Sequence, residues 1–401
     1  MALDMTTFDA ALKQHYTDAA VENMVYKDNP FLALVSKYEN FDGRNLPIPI
    51  IYGNPQGRSA TFSTAQSNKT NSQLQAFTLV RNKDFSLASI DNETMDASKN
   101  NSGAFMEAIT TEIDGCINSI RRSLAVALYG TGSGSIGRNT SNATGTTITL
   151  TDDQQITNFE VGMHIVFSTA DGGGSVKSGS VSVVAVNEDT GVLTVDALTA
   201  IAGGSGIAAN DYIFVQGDYD SKLKGLSAWI PASAPSSTAF FGVDRSVHPT
   251  RLGGIRFDGS AMPIEEALVA GIARVARSGG KTDTIFMNYS NWANLEKALG
   301  SKVQYLDLKA SAEVGFRGIL INGPKGPVKV IPDQNCPSDV AFALQMDTWK
   351  LYSLGKAPKV LNSDGLQMLR DVSSNSVEIR YGYYAQLGCK APGYNARIKL
   401  L

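Results

Sequence analysis

The chain has 401 residues, enough for two or three domains, and its 43% apolar and 18% charged content is typical of a globular protein. A formal net charge of −3 argues against a dedicated nucleic-acid binder, which needs an excess of Lys and Arg. The widely spaced Cys116, Cys336 and Cys389 exclude a disulfide framework and a CxxC zinc site, and they indicate a reducing compartment. We find no secretion signal and no apolar run long enough to cross a bilayer, so we expect no membrane partner.

The start of the chain predicts a short helix. Phe8, Leu12 and Tyr16 recur at the spacing of one helical face, and Pro30 ends this pattern. The apolar residues between 31 and 35 follow at once, and we expect them to be a docking point for the arm that precedes them.

Residues 46–98 are polar, extended and poor in clustered apolar side chains. Alternating patterns over 46–52 and 75–90 predict a long two-stranded arm whose tip lies between Gly57 and Ser72. Because an isolated hairpin of this kind is marginal in water, we expect the arm to find its stability on a neighbouring subunit. A solvated loop is the alternative.

A long amphipathic helix is predicted over 103–129. Apolar residues at spacings of three and four run in one stripe from Phe105 to Ala127, and Gly130 ends the helix. At 1.5 Å per residue such a helix spans roughly 40 Å. An extended arm beside a rigid helix indicates a subunit that grips its neighbours.

Residues 131–220 predict an inserted all-β domain. The first fifteen are Gly, Ser, Thr and Asn with almost no apolar content, which indicates a flexible connector. Short strands with turn signals between them then predict a small barrel or sandwich. These strands are expected at 147–151, 164–168, 180–187, 192–196 and 212–216.

The rest of the sequence predicts a mixed α/β body. A helix begins at Pro263, carries Glu265 and Glu266 in its first turn, and ends at Gly279. The other predicted elements are a buried strand at 284–287, a helix over 292–299, and strands near 317–321, 328–331 and within 366–401.

This order of elements resembles the major capsid protein of tailed bacteriophages, whose fold is shared with herpesviruses. The arm followed by the long helix is the first likeness. The second is the run from Pro263 through Thr284-Ile-Phe-Met-Asn288 to Trp292. The third is Val328-Lys-Val-Ile-Pro332 with Asp347-Thr-Trp-Lys-Leu351 after it.

The resemblance implies an α+β fold that carries the inserted β domain as an addition. Its implied parts are an N-terminal arm (1–45), an extended β-hairpin loop (46–98), a spine helix of the peripheral domain (99–130), the inserted domain (131–220), further peripheral domain (221–281), an axial domain (282–365) and return strands of the peripheral domain (366–401).

The resemblance also implies a structural protein that self-assembles into capsomers and an icosahedral shell around phage double-stranded DNA. Its implied partners are copies of itself in pentamers and hexamers, a separate scaffolding protein, a portal and a decoration protein. The DNA would lie close without specific contacts. Arg121 and Arg122 either face this DNA or form ion pairs between subunits. We expect the protein in the virion capsid, after synthesis in the cytoplasm of a host bacterium.

Side chains near the arm are the candidate contacts between subunits. They are Phe31, Leu32, Ile48, Ile50, Tyr52, Arg58, Phe62, Phe77 and Leu79. Some relatives crosslink subunits through a Lys and an Asn. Lys69 lies near the predicted tip, but the sequence identifies no partner for it, so we predict no crosslink.

No catalytic, cofactor or metal site is predicted. The run Gly132-Ser-Gly-Ser-Ile-Gly137 matches GxGxxG, but it follows a helix instead of joining a strand to one, so we interpret it as a linker. His15, His164 and His248 have no partners at metal-ligand spacing, and Asp152 with its neighbour fits a solvated turn.

Two other functions remain as alternatives. Another phage structural protein, from a tail or a decoration layer, would suit the inserted domain but not the long helix, the arm and the α/β body. A carbohydrate-active hydrolase could use the β domain for binding, but the sequence lacks a recognisable nucleophile, metal site or acid/base pair.

Overall fold

The computed structural model describes residues 29–91, 102–300, 305–311, 314–361, 369–370 and 375–400. The helix predicted around Phe8, Leu12 and Tyr16 lies outside these ranges. The helices are α1 Pro30–Leu34, α2 Phe62–Ser67, α3 Ser102–Tyr129, α4 Leu226–Trp229, α5 Pro249–Gly253, α6 Ile264–Arg277 and α7 Tyr289–Leu299.

Within the described ranges, the strands fall into four sheets. They are β1 Ser36–Tyr38, β2 Asn45–Gly53, β3 Gln73–Val80, β4 Asn82–Asp91, β5 Ser135–Arg138, β6 Thr147–Thr149, β7 His164–Ser168, β8 Val181–Asn187, β9 Val192–Val195, β10 Tyr212–Val215, β11 Ile255–Asp258, β12 Thr284–Met287, β13 Tyr305–Ser311, β14 Val314–Gly323, β15 Gly326–Pro332, β16 Val340–Leu344, β17 Trp349–Ser353, β18 Lys359–Val360, β19 Leu369–Arg370, β20 Ser376–Cys389 and β21 Ala396–Lys399.

The predicted arm is shorter than the sequence pattern indicated. Strands β2 and β3 form the hairpin, in antiparallel register from Asn45 opposite Val80 to Gly53 opposite Gln73. Strand β4 continues the same alternation, but it pairs along its whole length with the C-terminal strand β20. Residues 82–91 therefore belong to the body of the subunit and not to the arm.

The long helix α3 matches its prediction closely. It ends at Tyr129 with Gly130 after it, and it packs on β4 and β20. Among the described side chains of its stripe, Cys116, Ile120 and Leu124 are buried together with residues of β17 and β20 in a hydrophobic core, which we call the first core. The helix thus supports the sheet that also contains β1, β17, β18 and β19.

A seven-stranded sheet forms the second part of the body, in the order β11-β21-β16-β12-β15-β14-β13. Its central strand β12 is buried along its length, which explains its continuous apolar sequence. On one face, Ile285 and Met287 pack in a core with α6 and α7. On the other, Phe286 joins the first core, with its ring 5.2 Å from that of Phe31.

Residues 131–220 form a separate six-stranded sheet in the order β5-β10-β7-β8-β9-β6, with a hydrophobic core of its own. The strand β5 was not predicted and lies in the expected connector. The sheet curls toward closure, because Thr140 N donates to Thr149 O and Thr151 N donates to Arg138 O between its two edges. We call these residues the 131–220 unit.

The grouping of the remaining elements differs from the expected division of the body. Helix α6, expected in the peripheral domain, packs with the seven-stranded sheet. Strand β21, expected among the return strands, pairs with β16 and β11 in that same sheet. Strands β17 and β18, expected in the axial domain, pair instead with β20.

Candidate assembly surface

The base of the hairpin is anchored on its own subunit. Because side chains alternate along a strand, Ile48 and Ile50 of β2 point inward. Phe77 and Leu79 of β3 are completely buried beside them. The ring of Phe77 lies 5.0 Å from that of Trp229 in an edge-on contact. This packing holds the root of the arm firmly on the body.

Two hydrogen bonds mark where the anchored part of the hairpin ends. Thr78 N donates to Phe241 O at 2.8 Å, and the Arg251 guanidinium donates to Tyr52 O at 2.9 Å. Beyond Tyr52, none of residues 54–72 is buried. The distal part therefore stands away from the core of its own subunit.

The hairpin tip, residues 54–72, is closed by polar contacts and displays an apolar ring. Thr70 N donates to Gln56 O at 2.7 Å, and Gln56 N donates to Thr70 Oγ1 at 2.8 Å. Helix α2 has no buried residue, and Phe62 at its start is 82% exposed. The tip thus has an ordered backbone but presents its largest apolar side chain to solvent.

The outer face of the hairpin continues this apolar surface. Ile51 and Leu74 are directly opposite each other across β2 and β3, and each is 59% exposed. The only charged residues of the hairpin, Arg58 and Lys69, are both exposed at the tip. The projecting surface is therefore apolar with a positive end.

The structure separates the predicted contact residues into two groups. Phe31, Ile48, Ile50, Phe77 and Leu79 are buried in the first core of their own subunit. Since their apolar surface is already covered within one chain, the expectation that these residues contact a neighbour is corrected. Phe31, for example, packs against Tyr129 and Phe286.

The remaining predicted contact residues lie at the surface to different degrees. Arg58 and Phe62 are exposed at the tip, whereas Leu32 and Tyr52 are half-buried beside the first core. Contacts between subunits through these four residues remain a prediction.

The site prediction missed a second apolar surface on strand β4. Phe85 is 45% and Leu87 58% exposed, on the face of β4 opposite to the one that buries Ala88 and Ile90. The ring of Phe85 packs edge-on against Tyr384 of β20, 6.0 Å away. The alternation of β4 contains this signal, but the sequence pattern alone assigned the strand to the arm.

A buried polar cluster holds β4 against α3. Lys222 Nζ lies 2.6 Å from Asp84 Oδ2 and 3.0 Å from Asp218 Oδ2. Ser123 of α3 donates to the same Asp84 oxygen at 2.6 Å, and Tyr383 Oη lies 3.4 Å from it. Burial raises the pKa of Asp218, against the lowering effect of Lys222, and raises that of Tyr383 well above its usual value.

A second buried carboxylate joins the beginning of the described chain to the body. Asp333 accepts hydrogen bonds from Phe31 N at 3.2 Å and from Tyr129 Oη at 2.8 Å, and its other oxygen accepts from Asn335 N at 3.0 Å. Burial raises the pKa of Asp333, although these hydrogen bonds favour the charged form. The Asn335 side chain in turn donates to Asn29 Oδ1 at 2.8 Å.

The described residues that were considered for metal binding, His248, His164 and Asp152, have structural roles. His248 caps α5, accepting from Arg251 N through Nδ1, and His164 Nδ1 lies 3.2 Å from Ser182 Oγ. Asp152 caps a 3-10 turn by accepting from Gln154 N. His15 lies outside the described residues, and within them no group of His, Cys, Asp and Glu side chains is arranged to bind a metal.

The remaining sequence candidates are also explained locally. The GxGxxG run leads from α3 into β5 and so does not stand at the start of a helix. Arg122 is buried and forms an ion pair with Glu160 of the 131–220 unit at 2.6 Å, which makes it a contact within the subunit. Arg121 is exposed.

The long helix on its sheet, the seven-stranded α/β body and the projecting hairpin together form a viral capsid fold. The structure is similar to a chain of the cyanophage A-1(L) capsid asymmetric unit, with a TM-score of 0.56, 11% identity and 97% of each chain covered. It is also similar to a chain of the holo-SrpI encapsulin complex from Synechococcus elongatus PCC 7942. That match has a TM-score of 0.50 and 8% identity, and it covers 100% of this chain and 96% of the other.

The family comparison agrees with the fold. Residues 207–367 match the family model described as SU10 major capsid protein. No curated protein matches the sequence. The resemblance drawn from the sequence agrees with both comparisons: part of the chain matches a major capsid protein family model, and the described structure has the fold of a phage capsid protein. None of the helices in the described ranges is long and apolar enough to span a membrane.

Proposed function

We propose that this chain assembles with copies of itself into pentamers and hexamers of an icosahedral shell that encloses double-stranded phage DNA. We further propose that the hairpin tip of each subunit overlaps an adjacent subunit. The observation that carries this proposal is the exposure of Phe62 at the end of a hairpin whose base is fixed in the core.

The energetics of the tip favour a partner. Helix α2 has only six residues, and a helix of this length is unstable unless it packs against something. Burying one Phe side chain contributes about 1.5–3 kcal/mol. Because every subunit of a shell would make the same contact, a modest contribution of this size is multiplied over the particle.

The outer face of β4 is the surface that we propose receives the tip of an adjacent copy. Phe85 and Leu87 offer it an exposed apolar strip. In the described part of the sheet, β4 pairs with β20 on one edge only, so its other edge is open to hydrogen bonding. A second copy of the chain supplies the matching apolar residues at Phe62, Ile51 and Leu74.

Further partners and the place of synthesis follow from the resemblance alone. A separate scaffolding protein and a portal would take part in assembly, and a decoration protein would bind the finished shell. The subunit would be synthesised in the cytoplasm of the host bacterium before it enters the virion capsid.

The decisive experiment removes the tip and keeps the anchored base. Replacing residues 54–72 by Asn-Gly joins Gly53 to Gln73, which face each other across the hairpin, through a tight turn. We expect a folded, soluble subunit that forms no shells, since Phe77 and Leu79 remain in the core. Size-exclusion chromatography and negative-stain electron microscopy measure this result. An undiminished yield of shells would contradict the proposal.

A point substitution tests the same contact with less disturbance. Phe62→Ser should weaken each contact between subunits roughly tenfold or more, and so raise the protein concentration needed for assembly. The matched control is Val161→Ser, which changes a side chain that is also largely exposed but belongs to the 131–220 unit and not to the hairpin. Equal assembly of the two variants would show that the tip makes no such contact.

A further inference from the structure

The charges of the chain are unevenly divided between the 131–220 unit and the body. The unit contains ten Asp and Glu residues but only two cations, Arg138 and Lys177, which gives a net charge of −8. The other residues contain 28 Asp and Glu and 33 Lys and Arg, a net charge of +5. The near-neutral total therefore conceals two oppositely charged parts.

Most of the negative charge of the unit is not neutralised within the subunit. Ion pairs hold Glu160 to Arg122, Asp211 to Lys177 and Asp218 to Lys222. In the described part of the chain, the other seven carboxylates of the unit form no ion pair. They are Asp152, Asp153, Asp171, Glu188, Asp189, Asp196 and Asp220.

The unit is joined to the body by contacts that fix its direction. Its two connecting segments are hydrogen-bonded to each other. Asp220 N donates to Ser133 O at 2.7 Å, and Gly225 N donates to Gly130 O at 3.2 Å. On the body side, Ser338 Oγ donates to Asp152 Oδ2 at 2.6 Å. With the Arg122 ion pair, these contacts hold the negatively charged unit in a fixed position on the body.

Duplex DNA carries one negative charge for roughly every 1.7 Å of its axis, and its field extends over about 10 Å at moderate ionic strength. A shell that turned a net charge of −8 per subunit inward would repel DNA at every position of the lattice. We infer that the subunit turns the 131–220 unit to the outside of the shell and the opposite side of its positively charged body toward the DNA. This inference rests on the proposed shell function.

An epitope in an exposed loop of the unit tests this orientation. The insertion point is between Gly203 and Gly204, where an added Cβ would meet no atom within 4 Å. In DNA-filled particles we expect an antibody fragment to bind intact particles as well as it binds disrupted ones. Binding that appears only after disruption would overturn the inference.

Particles of the unmodified chain provide a second measurement that does not depend on the inserted epitope. A low-resolution cryo-electron microscopy map should show one protrusion per subunit on the outer surface and a smooth inner surface against the DNA. Protrusions on the inner surface would overturn the orientation but leave the shell function intact. If the unmodified chain formed no shells at all, the proposed function itself would fail.

Discussion

Lys222 Nζ lies 2.6 Å from Asp84 Oδ2. This ion pair joins the segment that follows the 131–220 unit to the beginning of strand β4. Both side chains are largely buried, at 9% and 12% exposure. The same Asp84 oxygen accepts from Ser123 of α3, so one carboxylate joins three parts of the chain. A buried pair of this kind is costly to break because the remaining charge stays away from water.

We therefore expect Lys222→Met to lower the free energy of unfolding by about 3–5 kcal/mol. Combining it with Asp84→Asn should cost less than the sum of the two single changes, because the variants share one interaction. Urea unfolding followed by tryptophan fluorescence measures all three. The control is Lys390→Met, which removes an exposed pair with Asp347 at 4.0 Å and should change little. If Lys222→Met and Lys390→Met lowered the free energy of unfolding by similar amounts, the buried Lys222 ion pair would not stabilise the subunit as stated.

Elements with a strong local pattern could be predicted from the sequence. The stripe of α3, its end at Gly130 and the apolar run of β12 depend on neighbouring residues only, and the structure shows them where they were expected. Strand β5 was missed because Ser135–Arg138 contains a single large apolar residue. Its place in the sheet comes from pairing with the distant strand β10.

Strand pairing and side-chain packing between residues far apart in the sequence could not be predicted from the sequence pattern. The alternation of β4 is the same whether it pairs with the hairpin or with β20, and only the fold decides between them. Likewise, the burial of Phe77 depends on Trp229 and Phe240, which follow more than a hundred positions later in the sequence. Phe62 was a candidate contact because it lies near the predicted tip; the structure shows it exposed there, and its contact with a neighbouring subunit stays a prediction.

The buried Asp333 should make stability depend on pH. Burial raises its pKa above the ordinary value of 3.8, so the folded state holds this proton more tightly than the unfolded state. Its contribution to stability is complete below 3.8 and is lost as the pH rises through the raised pKa. We expect Asp333→Asn to reduce this loss, measured as the urea midpoint at several pH values up to neutral.

A control of opposite sign is available at Asp244. Hydrogen bonds from Ser246 lower the pKa of this exposed carboxyl, so its contribution is present above the ordinary value and is lost as the pH falls. Asp244→Asn should therefore alter only the acid side of the stability profile. If Asp333→Asn left the slope on the less acidic side unchanged, the stated role of Asp333 would be wrong.

The ion pair between Glu160 and Arg122 should limit movement of the 131–220 unit. Because Glu160 is partly exposed, we expect Glu160→Gln to cost only about 1 kcal/mol of stability. The effect should be concentrated in faster hydrogen exchange of the connecting residues 216–225. Glu188→Gln removes an equal charge from an exposed turn of the same unit and should leave this exchange unchanged. Equal exchange in both variants would exclude the pair as a restraint.

Two glycines allow one chemical change to be tested with opposite expectations. A Cβ at Gly225 would lie 2.3 Å from Leu128 O and 2.4 Å from Ala127 O, so Gly225→Ala must push the connecting segment away from the end of α3. A Cβ at Gly115, in the middle of α3, would meet no atom within 4 Å. Since Ala is a better helix former than Gly, Gly115→Ala should stabilise the subunit by about 1 kcal/mol. Thermal unfolding should therefore shift upward for Gly115→Ala and downward for Gly225→Ala, and a downward shift in both would mean that α3 is itself constrained at Gly115.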